Sequence, residues 1–139
     1  MIHLLDTSAV VAAIVLDEPH HAACAAVLMR PGAAIYSRGL AETYAYLTGG
    51  RLEPRVPPEA AAQAIEESVL AFAQAVHLTT HEITRAFGEC QARGIRGGAV
   101  YDYLHLVAAR KVRARCIYTL NVRHFRAFHR SGDPETVRP

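Results

Sequence analysis

The chain has 139 residues, the length of one ordinary domain, and 51% of them are hydrophobic, enough for a single buried core. Charged residues make up 20% and the net charge is +2, which argues against wholesale disorder and against a polycationic nucleic-acid tail. Cys24, Cys90 and Cys116 are odd in number and never form C-x-x-C, so neither a disulfide framework nor a zinc knuckle is expected. No stretch reaches bilayer-spanning length, and the opening Met1-Ile2-His3-Leu4-Leu5-Asp6 lacks a basic leader, so a cytoplasmic protein with no membrane partner is expected.

Ile2 to Leu5 is a short apolar run that reads as a buried strand ending at Asp6. Asp6, Thr7 and Ser8 offer caps for a helix from Ala9 to Leu16. Asp17 or Glu18 before Pro19 reads as a second helix start, with Pro31-Gly32 as its stop. Ala33 to Tyr36 reads as a second strand. Ser37 is a candidate cap for a helix from Arg38 to about Thr48, stopped by Gly49-Gly50. Arg51 to Pro57 reads as a loop, and Pro58 opens a helix with apolar residues at helical spacing from Glu59 to about Phe72.

Ala75 to Leu78 resembles a third strand, and Thr79 or Thr80 can cap a helix from His81 to Arg93, closed by Gly94. Its apolar set is Ile83, Ala86, Phe87 and Cys90. Ala99 to about Val112 carries the strongest helical pattern in the chain. It runs into the densest basic segment, Arg110 to Arg115, which reads as a solvated helix end complementing the dipole. Cys116 to Leu120 reads as a fourth strand, Asn121 to Phe128 as a loop and short helix, and Glu135 to Arg138 as an edge strand. Strands alternating with helices predict one α/β domain over residues 1–139, a central, mainly parallel sheet of four to five short strands covered on both faces.

Such sheets bind ligands beyond the carboxyl ends of their strands. Asp6 falls at the end of the first strand and Asn121 just past the fourth. Asp102 falls in the first turn of the helix before that fourth strand, and Glu42 one turn into the helix after the second. Acids without soft ligands suit a hard cation, Mg²⁺ or Mn²⁺, which activates water and offsets charge on a phosphodiester under attack. Each residue also has a plainer reading. Asp6 caps a helix, Asp102 complements a dipole, Glu42 faces solvent, and Asn121 serves a turn. His105, three residues after Asp102, shares its helix face and reads either as a phosphate or proton contact or as a packed structural histidine.

Four segments in order carry a resemblance. They are Leu4-Leu5-Asp6-Thr7-Ser8-Ala9, Leu40-Ala41-Glu42-Thr43-Tyr44, Val100-Tyr101-Asp102-Tyr103-Leu104-His105-Leu106-Val107-Ala108-Ala109, and Tyr118-Thr119-Leu120-Asn121-Val122-Arg123-His124-Phe125. Together they resemble the PIN-domain ribonucleases, in particular the VapC-like toxins of toxin–antitoxin pairs. The resemblance implies a three-layer α/β/α sandwich and a metal-dependent endoribonuclease acting on RNA. It implies Asp6 and Asp102 as the main Mg²⁺ ligands, with Mn²⁺ an alternative, and Glu42 completing the cluster directly or through water. Asn121 stands where some members carry a fourth acid, which favours one well-held ion over two. Thr7, Ser8 and Thr119 match polar positions that orient the carboxylates, and Arg123 with His124 falls where RNA phosphate could be met. The resemblance also implies a cognate antitoxin, and a homodimer is expected. Ala22 to Met29 and Ala60 to Phe72 are candidate partner contacts, with core packing the plainer reading.

Two other readings use the same residues. A PIN-like scaffold would bind RNA or a protein partner without cutting, a possibility raised by the missing fourth acid. A phosphotransferase with Asp6 as nucleophile is disfavoured, because no second acid follows two positions on and Lys111, the only lysine, falls inside a helix.

Overall fold

Five three- or four-residue strands form one sheet, and its order explains where the chain places its polar ends. The computed structural model describes residues 1–49 and 52–139. The strands are β1 (His3–Leu5), β2 (Ala33–Tyr36), β3 (Gln74–Val76), β4 (Cys116–Tyr118) and β5 (Glu135–Val137). They lie in the order β3-β2-β1-β4-β5, and every pair is parallel. The expected edge strand is therefore present, beside β4. From β1 the chain winds outward through β2 and β3, then returns to the other side of β1 with β4. The carboxyl ends of β1 and β4 thus border the switch point of the sheet.

The helices are α1 (Thr7–Ile14), α2 (His21–Met29), α3 (Arg38–Thr48), α4 (Pro58–Ala64), α5 (Thr80–Arg93), α6 (Ala99–Lys111) and α7 (Val122–Phe128). Side chains alternate across the sheet. Leu4 and Ile117 pack with Ala86, Tyr103, Leu106 and Phe125 from α5, α6 and α7. Leu5 and Ile35 pack with Val10, Cys24 and Val27 from α1 and α2. Two apolar layers sandwich the sheet, and each fully buried Leu, Ile or Phe contributes about 1.5–3 kcal/mol to that packing.

The helix ends follow the expected chemistry in most places. Asp6 caps α1 by accepting from the Ala9 N–H, and Thr79 caps α5 in a reciprocal pair with Glu82. Gly94 closes α5 with φ of +70°, a backbone setting that glycine adopts without strain.

Some expectations shift. Helix α2 starts at His21 rather than at Pro19, because Asp17 to His20 is taken up by two consecutive turns, Glu18 N–H to Val15 O and His21 N–H to Glu18 O. The helix expected to Phe72 stays α-helical only to Ala64. It then widens into a π-helical turn, Ile65–Val69, closed by Leu70 N–H to Ile65 O. Phe87 is 52% exposed, because the buried stripe of α5 runs through Ala86 and Cys90 and Phe87 lies a quarter-turn off it. The Gly49-Gly50 stop and the loop from Arg51 include residues 50 and 51, which lie outside the described residues. Among the described residues, no helix is long and apolar enough to cross a membrane.

Candidate active site

Asp6 is the first residue past β1 and does two tasks at once. Its Oδ1 accepts from the Ala9 N–H at 3.0 Å and from the Ser8 hydroxyl at 2.7 Å, and its Oδ2 accepts from the Thr119 hydroxyl at 2.6 Å. Those two hydroxyls also receive backbone N–H bonds, one from across the switch point and one from the same loop. Leu120 N–H donates to Ser8 Oγ, and Asn121 N–H donates to Thr119 Oγ1, each at 2.9 Å. Each hydroxyl proton is therefore aimed at Asp6. The carboxylate is fixed by partners from both sides of the sheet's reversal, and it is 2% exposed. Burial holds its carboxyl above the usual carboxylate value, although His105, Thr119, Ser8 and the Ala9 N–H all pull the other way.

Asp102 stands in the first turn of α6, with its side chain 29% exposed. Burial and the neighbouring Asp6 charge raise its proton affinity, against the pull of His105 and His124. His124 Nδ1, on α7, lies 3.5 Å from Asp102 Oδ2.

Glu42 reaches the same cleft from α3 under different control. Its Oε1 lies 3.1 Å from His105 Nε2 and 3.5 Å from the Arg38 guanidinium one turn earlier. Burial pushes its carboxyl up, but the His105 bond and the His105 and Arg38 charges outweigh that and hold it below the usual value. His105 is 2% exposed and packs edge-on against the Tyr36 ring. Its Nδ1 is buried without a hydrogen-bond partner, so in the neutral ring the proton belongs on Nε2, pointing at Glu42. Thr7 Oγ1 lies 3.4 Å from the same nitrogen. Gly39 makes room for this arrangement, since a Cβ there would stand 3.3 Å from His105 Cε1.

A cleft of about 400 Å³ is lined by Asp6, Thr7, Ser8, Glu42, Asp102 and Asn121, together with Glu18 and Tyr46. Six of the nine residues predicted for the site therefore line it. Thr119 and His105 lie behind it, bonded to Asp6 and Glu42, so His105 supports a carboxylate and is too buried to hold a phosphate. Arg123, expected where RNA phosphate could be met, sits exposed on α7 and is not among the lining residues, because α7 turns that position outward and buries Phe125. Asn121 caps α7 by position but makes no side-chain cap bond, and its φ of −99° shows no left-handed turn.

Glu18 was missed. Its place before Pro19 looked like a helix start, and nothing local distinguishes an acid that caps from one that faces a cleft. His124 was likewise invisible as a partner of Asp102, since that pair joins two helices through the fold, whereas Arg38 stands one helical turn before Glu42, a spacing the sequence carries.

Among the described residues, no three His, Cys, Asp or Glu side chains converge tightly enough to cage an ion by themselves. The donor set is nevertheless all oxygen, and two of its carboxylates, the buried Asp6 and the partly buried Asp102, have raised proton affinity because burial, joined at Asp102 by the Asp6 charge, outweighs the nearby histidines. That combination fits a hard ion taking one or two acids, with water or phosphate completing its shell.

The PIN domain family matches residues 3–130. Ribonuclease VapC27 of Mycobacterium tuberculosis is 34% identical over 110 residues, covering 79% of this chain and 78% of that protein. Solved structures share the fold across nearly the whole length. VapC20 of Mycobacterium tuberculosis, a sarcin-ricin loop cleaving toxin, superposes with a TM-score of 0.73 at 22% identity, covering 99% of both chains. VapBC2 of Rickettsia felis, bound to a promoter DNA fragment, gives 0.67 at 19% identity, covering 100% of this chain and 99% of the other. VapBC-1 of Haemophilus influenzae gives 0.68 at 17%, with coverage of 99% and 98%. The chain belongs to the PIN-domain family, in its VapC ribonuclease branch.

Proposed function

We propose that this chain is a metal-dependent endoribonuclease acting as the toxin of a toxin–antitoxin pair, with Asp6, Glu42 and Asp102 as its catalytic acids and Asn121 beside them. One observation carries the reading. Asp6 and Asp102 share a cleft at the switch point of a parallel sheet, and burial raises the proton affinity of both.

Asp6 and Asp102 would hold Mg²⁺ or Mn²⁺, with Glu42 closing the set directly or through water. When bound, such an ion lowers the pKa of water and stabilises charge building on a phosphodiester. The chain's own residues do the positioning. Ser8 and Thr119 lock Asp6 in one orientation, so ion binding costs little reordering. Glu42, kept ionised by His105 and Arg38, can take a proton from an attacking water. The Asn121 side chain offers an N–H donor to a phosphate oxygen without adding a fourth negative charge.

The partner reading follows the solved VapBC relatives. A second groove, of about 720 Å³, runs between the end of α1 and α3–α4, lined by Ile14, Leu16, Leu47 and Val56. Glu18 and Tyr46 line both this groove and the acidic cleft, and Asp17 and Glu53 add acid to its rim. An apolar, basic segment of an antitoxin laid there would end at the carboxylates and block them.

Purified protein, the Asp6→Asn variant and the Asp102→Asn variant are incubated with total cellular RNA and Mn²⁺ or Mg²⁺, and the cut ends are mapped. The parent is expected to cut at discrete sites and both variants to lose that activity. Equal cutting by all three proteins would place the chemistry elsewhere. Tight RNA binding without metal-dependent cutting would identify a non-cleaving scaffold instead.

A further inference from the structure

Asp102 faces two cavities, and only one is acidic. The other is a groove of about 400 Å³ between α5, α6 and α7, walled by Ile95, Ala99, Ala127 and Phe128, with His124 beside Asp102 at the junction. Phosphoryl chemistry has no use for these carbon-rich walls, so the groove needs an occupant of its own.

Several features describe that occupant. Asp102 lines both cavities, so the groove opens directly beside the acidic cleft and one strand can reach both. The His124 side chain is 66% exposed, and its ring is held near Asp102 by the 3.5 Å contact, which presents a flat aromatic surface at the junction. Phe128, 4% exposed and packed against Tyr103 and Phe125, gives the groove an apolar floor. Gly94 and Gly98 stand at the groove, and a Cβ on either would meet nothing within 4 Å, so both leave the mouth open. At the start of α6 the Val100 and Tyr101 N–H groups are taken up by Gly97 O and Gly98 O, so the groove is read through its side-chain walls. The segments that build the groove also carry Arg96, Arg123 and Arg126, all exposed, which suits a polyanion. The antitoxin-sized groove on the other side of the cleft has the opposite rim, with Asp17, Glu18 and Glu53.

We propose that this groove seats an unpaired nucleobase of the RNA strand next to the phosphate held at Asp102. The proposal rests on the nuclease reading and deepens it by assigning part of the substrate recognition. The volume lies at the lower end of the range for small-ligand sites, roughly 300–1,000 Å³. Stacking of an unpaired base on an exposed aromatic face beside apolar walls is how single-stranded RNA is commonly read. Local unpairing of the target is therefore required, and continuous duplex RNA is a poor substrate.

The test fills the groove from exposed positions that touch none of the acids. Ala127→Leu projects into it from α7. Gly98→Val narrows its mouth, and at φ of −63° a side chain is tolerated there. Cut sites are mapped first on cellular RNA. An oligonucleotide spanning the strongest site is then compared with versions carrying an abasic residue at either flanking nucleotide. One abasic version is expected to slow the parent by about tenfold to a hundredfold, the scale of losing one stacked base. Both filled variants are expected to be slow on the intact oligonucleotide and to show little further loss on the abasic one. Parent protein that cuts intact and abasic RNA equally well overturns the base seat, as do filled variants that cut like the parent. Variants that cut normally but escape the antitoxin overturn it too, and assign the groove to the protein partner. Melting temperatures check that both variants fold, and if either does not, the abasic comparison on the parent decides. If the parent cuts no RNA, the nuclease reading fails separately. Amide shifts then decide the base seat: nucleoside monophosphates, but not ribose 5-phosphate, must move Gly94, Gly98 and Ala127.

Discussion

Two clusters of buried carboxylates lie in this molecule, and they are held in opposite ways. At the turn before β5, Asp133 meets Arg93 and Arg110, and Arg110 also binds Glu89 at 2.8 Å. The Asp133 side chain is 4% exposed. Burial pushes its carboxyl up, but Arg93, the Arg130 N–H and Arg110 hold it well below the usual carboxylate value. At the switch point, Asp6 is as deeply buried, yet hydroxyls and one N–H are its hydrogen-bond partners and its nearest acid is another carboxylate. Burial wins there, and its carboxyl is raised. A carboxylate cluster that the protein has neutralised by itself is structural. One left short of positive charge is relieved by a proton or by a cation from outside.

That contrast is open to direct attack. The largest expected effect is on chemistry: Asp6→Asn should lower metal-dependent RNA cleavage by about a thousandfold, or roughly 4 kcal/mol of barrier, measured as initial rates on a mapped oligonucleotide. The matching change in the paired cluster should act on folding. Arg93→Ala leaves Asp133 buried with the Arg130 N–H and the longer Arg110 contact, and about 3 kcal/mol of stability should be lost. Calorimetry should show that as a fall in Tm of roughly 10 °C in a domain of this size.

Metal should separate the clusters next. At a hundredfold excess over its Kd, Mg²⁺ or Mn²⁺ should stabilise the parent by about 2.7 kcal/mol and leave Asp6→Asn almost unmoved. An equal rise in Tm for both proteins would mean that the ion binds elsewhere.

The smallest effect is the pH response of the metal-free protein. Asp6 and Asp102 have raised values in the fold, so their ionisation opposes folding, and that penalty lessens as pH falls from neutrality through those values. Asp133 and Glu42 have lowered values, so their contribution is complete above the ordinary carboxylate range and is lost as pH falls through their folded values. Stability should therefore rise slightly on mild acidification and fall on stronger acidification. Asp102→Asn should remove part of the rise and lift Tm at neutral pH by roughly 2–4 °C, what about 1 kcal/mol does in such a domain. Denaturant midpoints at several pH values would check both slopes.

Much of the site was legible because it is written locally. Asp6 follows an apolar run and precedes cap residues, Asp102 opens the strongest helical pattern, and Asn121 ends the fourth strand. Each sits at a junction of elements, and in a parallel α/β sheet such junctions meet at one edge. Glu18 was not legible, since an acid before proline looks the same whether it faces a cleft or a helix start. Arg123, two residues past Asn121, was read as a phosphate contact, and its place on the exposed side of α7 rather than in the cleft came only from the fold.

Strand positions, most helix ends and the three acids follow from the sequence alone, because propensity, capping and hydrophobic period act over a few residues. Only the tertiary structure decided that Asp6 stays hungry for positive charge while Asp133 is satisfied. Both are single acids beside turn residues in the sequence. Their difference lies in partners more than thirty residues away, Thr119 for one and Arg93 for the other, and charge energies in a buried site depend on such neighbours and on how much water has been displaced.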